Sequence, residues 1–297
     1  MSPEVHELFL YNIDFDGDRV INHSSNPFPG KDYSLYKYGS GCRGINFGFE
    51  LADKFGQHLP HLLQASRLFV TSSAYKYVPT GSLTIGRGFL DNLNHLRYLQ
   101  QLPSSHLVKM ERTVLYPGDY GKLHFTERIE LMSKNGLFVD REFIYGGNLV
   151  VVDDIKVTGE HQGNILKLAH DIMLKTITFL YIAGMADNAK AKRDARIEDH
   201  INHLSVRSLD DLLPIVQASD FAFNARVCKF LLSPQNLAAL PRFLPKMNNK
   251  FVIEVYLNTI GDGYCFMEMY QANFGIIKQE LQKRGLIVGD KLYTNIN

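Results

Sequence analysis

The 297-residue chain holds only three cysteines, Cys42, Cys228 and Cys265, odd in number and widely spaced. That excludes a disulfide scaffold and a four-cysteine metal site, and points to a reducing compartment. Charge of one sign is also missing, since 32 basic residues stand against 31 acidic ones for a net charge of +1. No bulk field therefore draws the chain to nucleic acid or to an anionic membrane surface. No apolar run approaches the roughly 20 residues of a membrane span, and residues 1–7 lack the basic start and apolar segment of a signal peptide. A soluble cytoplasmic protein with no membrane and no nucleic-acid partner is expected. The glycine-bearing stretch from Gly81 to Gly88 holds no Walker lysine, and neither Gly-x-Ser-x-Gly nor His-Glu-x-x-His occurs. The commonest nucleotide-hydrolase, esterase and zinc-protease readings are thereby removed. What remains, at 45% hydrophobic, is a globular chain long enough for one large domain or a core with substantial appendages.

The most informative stretch is Asn148 to Asn164. Leu149 to Val152 are four apolar, mostly β-branched residues, the composition of a strand buried on both faces. Asp153 and Asp154 follow at its carboxyl end, then Thr158 and Gly159, then His161 to Met173, where Ile165, Leu168, Ala169 and Ile172 recur at helical spacing. The segment reads strand, turn, helix. In open α/β sheets ligands bind beyond the carboxyl ends of the strands, and unsatisfied N–H groups at the next helix start favour an anion. Two adjacent carboxylates repel a bare phosphate, so the partners of Asp153 and Asp154 are sugar hydroxyls, a divalent cation, or both. The turn from Lys156 to Glu160 then holds a phosphate through main-chain N–H groups and the Thr158 hydroxyl. The same residues also suit a plain strand ended by an Asp-Asp turn, with Thr158 as helix cap.

Residues 150–159, Val-Val-Val-Asp-Asp-Ile-Lys-Val-Thr-Gly, resemble the phosphoribosyl pyrophosphate (PRPP) signature of type I phosphoribosyltransferases. In that family an apolar strand leads to two acidic residues that hold the ribose hydroxyls, and a Thr-Gly loop binds the 5-phosphate. Lys156 stands where an apolar residue is usual, and His161 where a small hydroxyl residue or alanine is commoner. The resemblance implies an α/β fold with a mostly parallel sheet and flanking helices. Residues 67–188 would form the phosphoribosyltransferase-like core, 1–66 an amino-terminal extension or hood, and 189–297 a carboxyl-terminal α+β addition. Such large additions are similar to those of divergent phosphoribosyltransferase-like proteins associated with tellurium-resistance and stress gene clusters. The implied activity is that of a pentosyltransferase moving phosphoribose between pyrophosphate and a nitrogenous base. Mg²⁺ is the implied cofactor, at Asp153 and Asp154 directly or through water or substrate. The same two residues would position the ribose, while Lys156, Val157, Thr158, Gly159, Glu160 and His161 anchor the 5-phosphate. The implied partner is PRPP or a nucleotide, and a homodimer is left open.

Arg67 to Ser73 begins as a buried strand and ends in small hydroxyl residues, where chain order in the resembled family puts the first core strand and its pyrophosphate-binding loop. Ser72 and Ser73 can donate to phosphate oxygens, and Lys76 supplies positive charge, making it the third residue expected in catalysis. A solvated loop that happens to hold a lysine is the alternative. Residues 83–101 are amphipathic and predict a helix packed on a sheet. Leu107 to Leu115 reads as a strand running into a Pro- and Gly-marked segment. The family places a closing loop between its second and third core strands; here Lys122, His124 and Arg128 are candidates to cover pyrophosphate, with Arg112 at the loop's base. A β-hairpin with surface charges fits the same residues. Thr176 to Met185 is a second buried strand, completing a right-handed βαβ unit and making Asp187 a candidate ribose contact.

Nearer the amino terminus, Tyr38 to Gly44 is a glycine-rich loop in which Arg43 could meet an anion or a base, or simply be part of an ordinary loop. Ile13 to Asp18 has a calcium loop's alternating carboxylates but no glutamate at the required distance, so it reads as a turn between two short strands. Beyond a connector at Ala189 to Glu198, three short helices are expected, then a strand at Phe251 to Leu257 and a long amphipathic helix at Tyr264 to Arg284. A second functional reading is a PRPP- or nucleotide-binding regulator that kept the phosphate cradle and lost turnover, motivated by Lys156 and the ambiguous loop.

Overall fold

In the computed structural model residues 2–16, 19–22, 26–113, 136–157, 159–185 and 196–294 are described. Their strands are β1 (Glu4–Asp16), β2 (Arg19–Asn22), β3 (Leu68–Ser72), β4 (His106–Leu107), β5 (Glu111–Arg112), β6 (Leu137–Phe138), β7 (Asn148–Lys156) and β8 (Thr176–Met185), with a small Ile287–Val288/Lys291–Leu292 hairpin near the end. Six of them form one sheet in the order β2-β1-β8-β7-β3-β4, in which only the edge strand β2 is antiparallel. The fold is thus α/β around a five-stranded parallel run, as the apolar, β-branched strands require.

The alternation within β7 sorts the layers. Val150 and Val152 pack with Val70, Leu180 and Ile182 against Phe47, Leu51 and Phe55 of the Gly41–His58 helix and Ile85 and Phe89 of the Ser82–Leu99 helix. Leu149 and Val151 face the other way, with Phe69, Ile177 and Phe179, onto Ile165, Leu168 and Ile172 of the Glu160–Ile172 helix. Opposite faces follow from geometry: right-handed crossovers leaving the middle of a sheet in opposite directions place their helices on opposite sides. The two helices on the first face touch through glycine. A Cβ on Gly48 would lie 2.3 Å from the Ile85 carbonyl oxygen, and one on Gly88 2.4 Å from that of Ile45.

Two segments depart from the sequence expectation. Residues 4–16, placed before the first core strand, form a thirteen-residue strand paired in parallel with β8 from Glu4↔Thr176 to Ile13↔Met185. Its far end turns back on β2 in an antiparallel hairpin, Ile13↔Asn22 to Asp16↔Arg19. Phe251 to Leu257, expected as a strand, lies inside the Asn249–Gly261 helix. Asn248 caps that helix by accepting the Phe251 N–H at 2.9 Å, and Val252, Val255 and Thr259 are fully buried at helical spacing. The run is apolar because it is surrounded by other helices.

Those helices make a separate hydrophobic cluster. Leu212, Val227, Leu231, Val252, Val255, Ile277 and Leu281 form its centre, and Tyr38 and Val78, from the amino-terminal part of the chain, are built into it. Residues 206–294 therefore form a largely helical layer fastened to the sheet domain by shared core, while Ile201 and Leu204 pack in the sheet's own cluster.

Candidate active site

β3 and β7 are neighbours in the sheet, yet the chain leaves them in opposite directions, β3 crossing to β4 and β7 to β8. Such a reversal opens a crevice beyond the carboxyl ends of the strands. A cavity of about 310 Å³ lies there, lined by Ser73 after β3, Asp153 to Val157 along the end of β7, Gly159 to Gln162, and Tyr181 of β8. Asp153, Asp154, Lys156, Val157, Gly159, Glu160, His161 and Ser73 are thus brought together as expected of ligand-facing residues.

Asp153 and Asp154 have different partners. The Ser73 hydroxyl donates to Asp153 Oδ1, a bond that bridges the switch point between β3 and β7, and the same oxygen accepts the Asp154 N–H at 2.8 Å. Burial, and then the neighbouring Asp154 carboxylate, push the Asp153 carboxyl up to about 7. Asp154 Oδ1 accepts the Ile155 N–H at 2.7 Å, and its Oδ2 receives Lys37 Nζ in an ion pair whose side chains are 11% and 15% exposed. Lys37 ends the Gly30–Lys37 helix, 117 residues away in sequence, and nothing near it in the chain signals this contact.

Lys156, the unusual residue of the signature, is also partnered. Its Nζ donates to both carboxylate oxygens of Glu7 on β1 at 2.8 Å. Glu7 also accepts from the Gln162 amide, whose oxygen in turn accepts from the Tyr181 hydroxyl at 3.5 Å. The lysine is thus neutralised across the sheet. His161 Nε2 lies 3.8 Å from Asp153 Oδ2 and is buried without a hydrogen-bond partner. Burial, with Arg112 adding positive charge, lowers its pKa to about 4, so the imidazole is neutral near pH 7 and makes no ion pair with Asp153.

The helix after the turn begins with Gly159 at φ +77°, a left-handed conformation that a side chain would strain. It starts the Glu160–Ile172 helix at the cavity rim, where Glu160, His161 and Gln162 line the wall. Across the crevice the Ser73 N–H donates to Ser82 Oγ at 3.1 Å, and Thr80 Oγ1 lies 2.8 Å from the same oxygen. These bonds fold the segment after β3 into a loop whose Thr80, Gly81 and Ser82 line the cavity at the start of the Ser82–Leu99 helix.

Other expected residues lie elsewhere. Ser72 is buried at the end of β3 and does not line the cavity. Lys76 is exposed and does not line it; its own carbonyl accepts from Lys109. Arg43 stands on the Gly41–His58 helix rather than in a loop, paired with Asp32 at 2.8 Å and outside the cavity. Thr158, Lys122, His124, Arg128 and Asp187 lie outside the described residues. Arg112 does reach the cavity. So do Lys37, Tyr38, Arg226, Lys229 and Tyr270, which sequence reasoning did not select. Only the amphipathic stripe of Tyr264 to Arg284 hinted at Tyr270, and that stripe read as packing; nothing in the sequence marked Arg226 or Lys229.

The carboxylate pair fits the family's Mg²⁺. Two adjacent carboxylates of low exposure, one of them pushed up to about 7 by burial and by its neighbour, gain from a cation. Mg²⁺ is commonly held by one or two carboxylates, with waters and substrate phosphates completing its shell. No group of three or more His, Cys, Asp or Glu gathers among the described residues, so a closed all-protein cage is not built there. No helix of the described residues is long and apolar enough to cross a membrane.

The model of the PRTase ComF-like family matches residues 6–277. No curated protein matches the chain. Among solved structures the chain is similar to a hypoxanthine phosphoribosyltransferase from Staphylococcus aureus, at 11% identity and a TM-score of 0.31 over 50% of this chain and 68% of that one. It is similar to adenine phosphoribosyltransferase from Thermoanaerobacter pseudethanolicus, at 15% identity and a TM-score of 0.29 over 50% and 73%. The adenine phosphoribosyltransferase of Saccharomyces cerevisiae gives 15% identity and 0.29 over 63% and 89%.

Proposed function

The chain belongs to the ComF-like phosphoribosyltransferase family, and we propose that it binds PRPP or a ribose 5-phosphate nucleotide and transfers phosphoribose between pyrophosphate and a nitrogenous base. The observation that carries this reading is the placement of Asp153 and Asp154 at the switch point, in one cavity with the Gly159-led helix start. In it the two carboxylates accept the ribose hydroxyls, and the main-chain N–H groups after Gly159 hold the 5-phosphate. Ser73 and the Thr80 to Ser82 loop face the pyrophosphate end. As the bond to pyrophosphate breaks, positive charge grows on the sugar ring, and the Asp153–Asp154 pair favours that state more than the ground state. Mg²⁺ held by Asp153 and Asp154 would neutralise charge on the departing pyrophosphate.

Calorimetric titration with PRPP and Mg²⁺ tests the reading. We expect saturable binding that Asp153→Asn with Asp154→Asn abolishes; no binding by the wild-type protein would remove the reading. The Lys37–Asp154 pair favours a second one, a binder without turnover, because an ammonium on one of the two carboxylates competes with substrate and metal. Released pyrophosphate, measured with PRPP and a broad panel of bases, separates the two: release with any base supports the transferase, and binding with no release across the panel supports the regulator.

A further inference from the structure

The loop after β3 brings no charged side chain of its own to the cavity; Arg112, whose N–H donates to the Tyr75 carbonyl at 3.1 Å, reaches it from β5. Ser73, Thr80, Gly81 and Ser82 offer hydroxyl and main-chain donors to the cavity, but Lys76, the one lysine in the loop, is exposed and outside it. A pyrophosphate held only by neutral donors keeps its negative charge uncompensated, and cations close to it in a partly desolvated cleft stabilise it further.

The carboxyl-terminal helical layer is tied to this same loop. The Ala225 N–H donates to the Pro79 carbonyl at 2.9 Å. Asp262 Oδ1 accepts the Tyr77 N–H at 2.9 Å and the Val78 N–H at 3.3 Å, and Val78 is buried in the layer's own core. The helix that starts at Ala225 therefore begins beside the loop, and its two half-buried cations, Arg226 and Lys229 at i and i+3, both line the cavity. Glu198 also reaches the cavity. Lys229 is steadied by the Tyr264 ring, 5.6 Å from its Nζ.

We propose that Arg226 and Lys229 bind the pyrophosphate group of the donor, supplying from the helical layer the charge that Lys76 does not bring to the loop. The assignment rests on the PRPP reading above and names the residues that recognise one end of that ligand. The guanidinium of Arg226 suits bidentate contact with phosphate oxygens, and Lys229 adds a point charge one turn on.

The test uses the full chain with Mg²⁺ and three titrants: PRPP, inorganic pyrophosphate and ribose 5-phosphate. Arg226→Gln and Lys229→Gln should each weaken PRPP and pyrophosphate by about tenfold or more, the loss of a hydrogen bond to a charged group. Ribose 5-phosphate should stay within about twofold, which also shows that the variants fold. Lys76→Gln should leave all three affinities unchanged. Pyrophosphate binding that survives both Gln variants overturns the inference, as does an equal loss for ribose 5-phosphate. A wild-type protein that binds ribose 5-phosphate but not pyrophosphate overturns it while leaving the sugar-phosphate reading intact. One that binds pyrophosphate through Arg226 and Lys229 but neither sugar phosphate sinks the PRPP reading and leaves the cation site. One that binds none of the three overturns both.

Discussion

The cavity has two walls of unlike construction. The wall from β7 is a run of consecutive residues on a strand paired on both sides, and its chemistry is acidic. The wall from the Ala225–Leu232 helix is basic, belongs to a different hydrophobic cluster, and meets the first through the loop after β3. On the first wall the charged groups are fixed by buried partners, Asp153 by Ser73 and Asp154 by Lys37. On the second they sit half-buried on a helix tied to the loop after β3 by Ala225 to Pro79 and by Asp262 to the Tyr77 and Val78 amides. A site of this kind separates rigidity from reach: the strand end sets the geometry, and the helical layer brings complementary charge from elsewhere in the chain.

The comparison breaks most easily at Asp154. Asp154→Ala leaves the Lys37 ammonium buried without its partner and is expected to cost about 3–5 kcal/mol in urea unfolding. Replacing both, Lys37→Met with Asp154→Leu, should recover most of that loss. A double variant no more stable than Asp154→Ala would show that the pair is not what fixes this wall.

Asp153 gives the next effect, read through pH. Its carboxyl is pushed up to about 7 in the folded chain, chiefly by burial, against 3.8 for a free aspartate. Between those values the native state keeps a proton that the unfolded state has lost, so the native chain loses stability as pH rises from about 4 to about 7 and is level above that. Asp153→Asn lacks the titration. Its stability relative to wild type should rise across that window by about 1–4 kcal/mol, and a pH-independent difference would contradict the raised value.

The helical wall is sharpened at Asp262. Asp262→Ala removes the acceptor of two loop amides, should cost about 1–3 kcal/mol, and should raise hydrogen exchange at Tyr77 and Val78 while exchange along β7 is unchanged. Slow exchange at both amides in the variant would mean that the walls are joined by something else. Arg43→Gln is the smallest change: an exposed pair with Asp32 outside both walls, expected to shift stability by less than about 0.5 kcal/mol and to leave PRPP affinity as it was.

Most of the acidic wall is legible in the sequence, because strand, carboxylates and helix start are contiguous and each has a local signal. Val150 to Val152 read as a strand buried on both faces, and the switch from a continuous apolar run to the spacing of Ile165, Leu168 and Ile172 marks the turn. Thr176 to Met185 was likewise readable to the residue. What was not legible depends on contacts far apart in the chain. Lys37 and Glu7 carry no mark of the residues they neutralise, 117 and 149 positions away. Lys76 looked correct by composition, but whether a side chain points into a crevice or out of it is set by the loop's bonds to Ser82 and Asp262. Phe251 to Leu257 misled for another reason: β-branched residues favour strands only on a pleated, half-buried surface, and here other helices surround them. Asn248, a cap three residues before Phe251, was the readable signal that pointed the right way.

The pairing of β1 with β8 has a consequence for the order in which the protein can be assembled. Glu7 neutralises Lys156 only when residues 4–13 lie beside residues 176–185. A chain leaving the ribosome must therefore hold its first strand unpaired while some 160 residues follow, a long loop to close before that contact rewards it. The basic wall arrives later still, with Arg226 and Lys229. The earliest and latest parts of the chain thus meet around one cavity, and a nascent chain that has emerged only as far as β8 holds the carboxylates without the cations that face them.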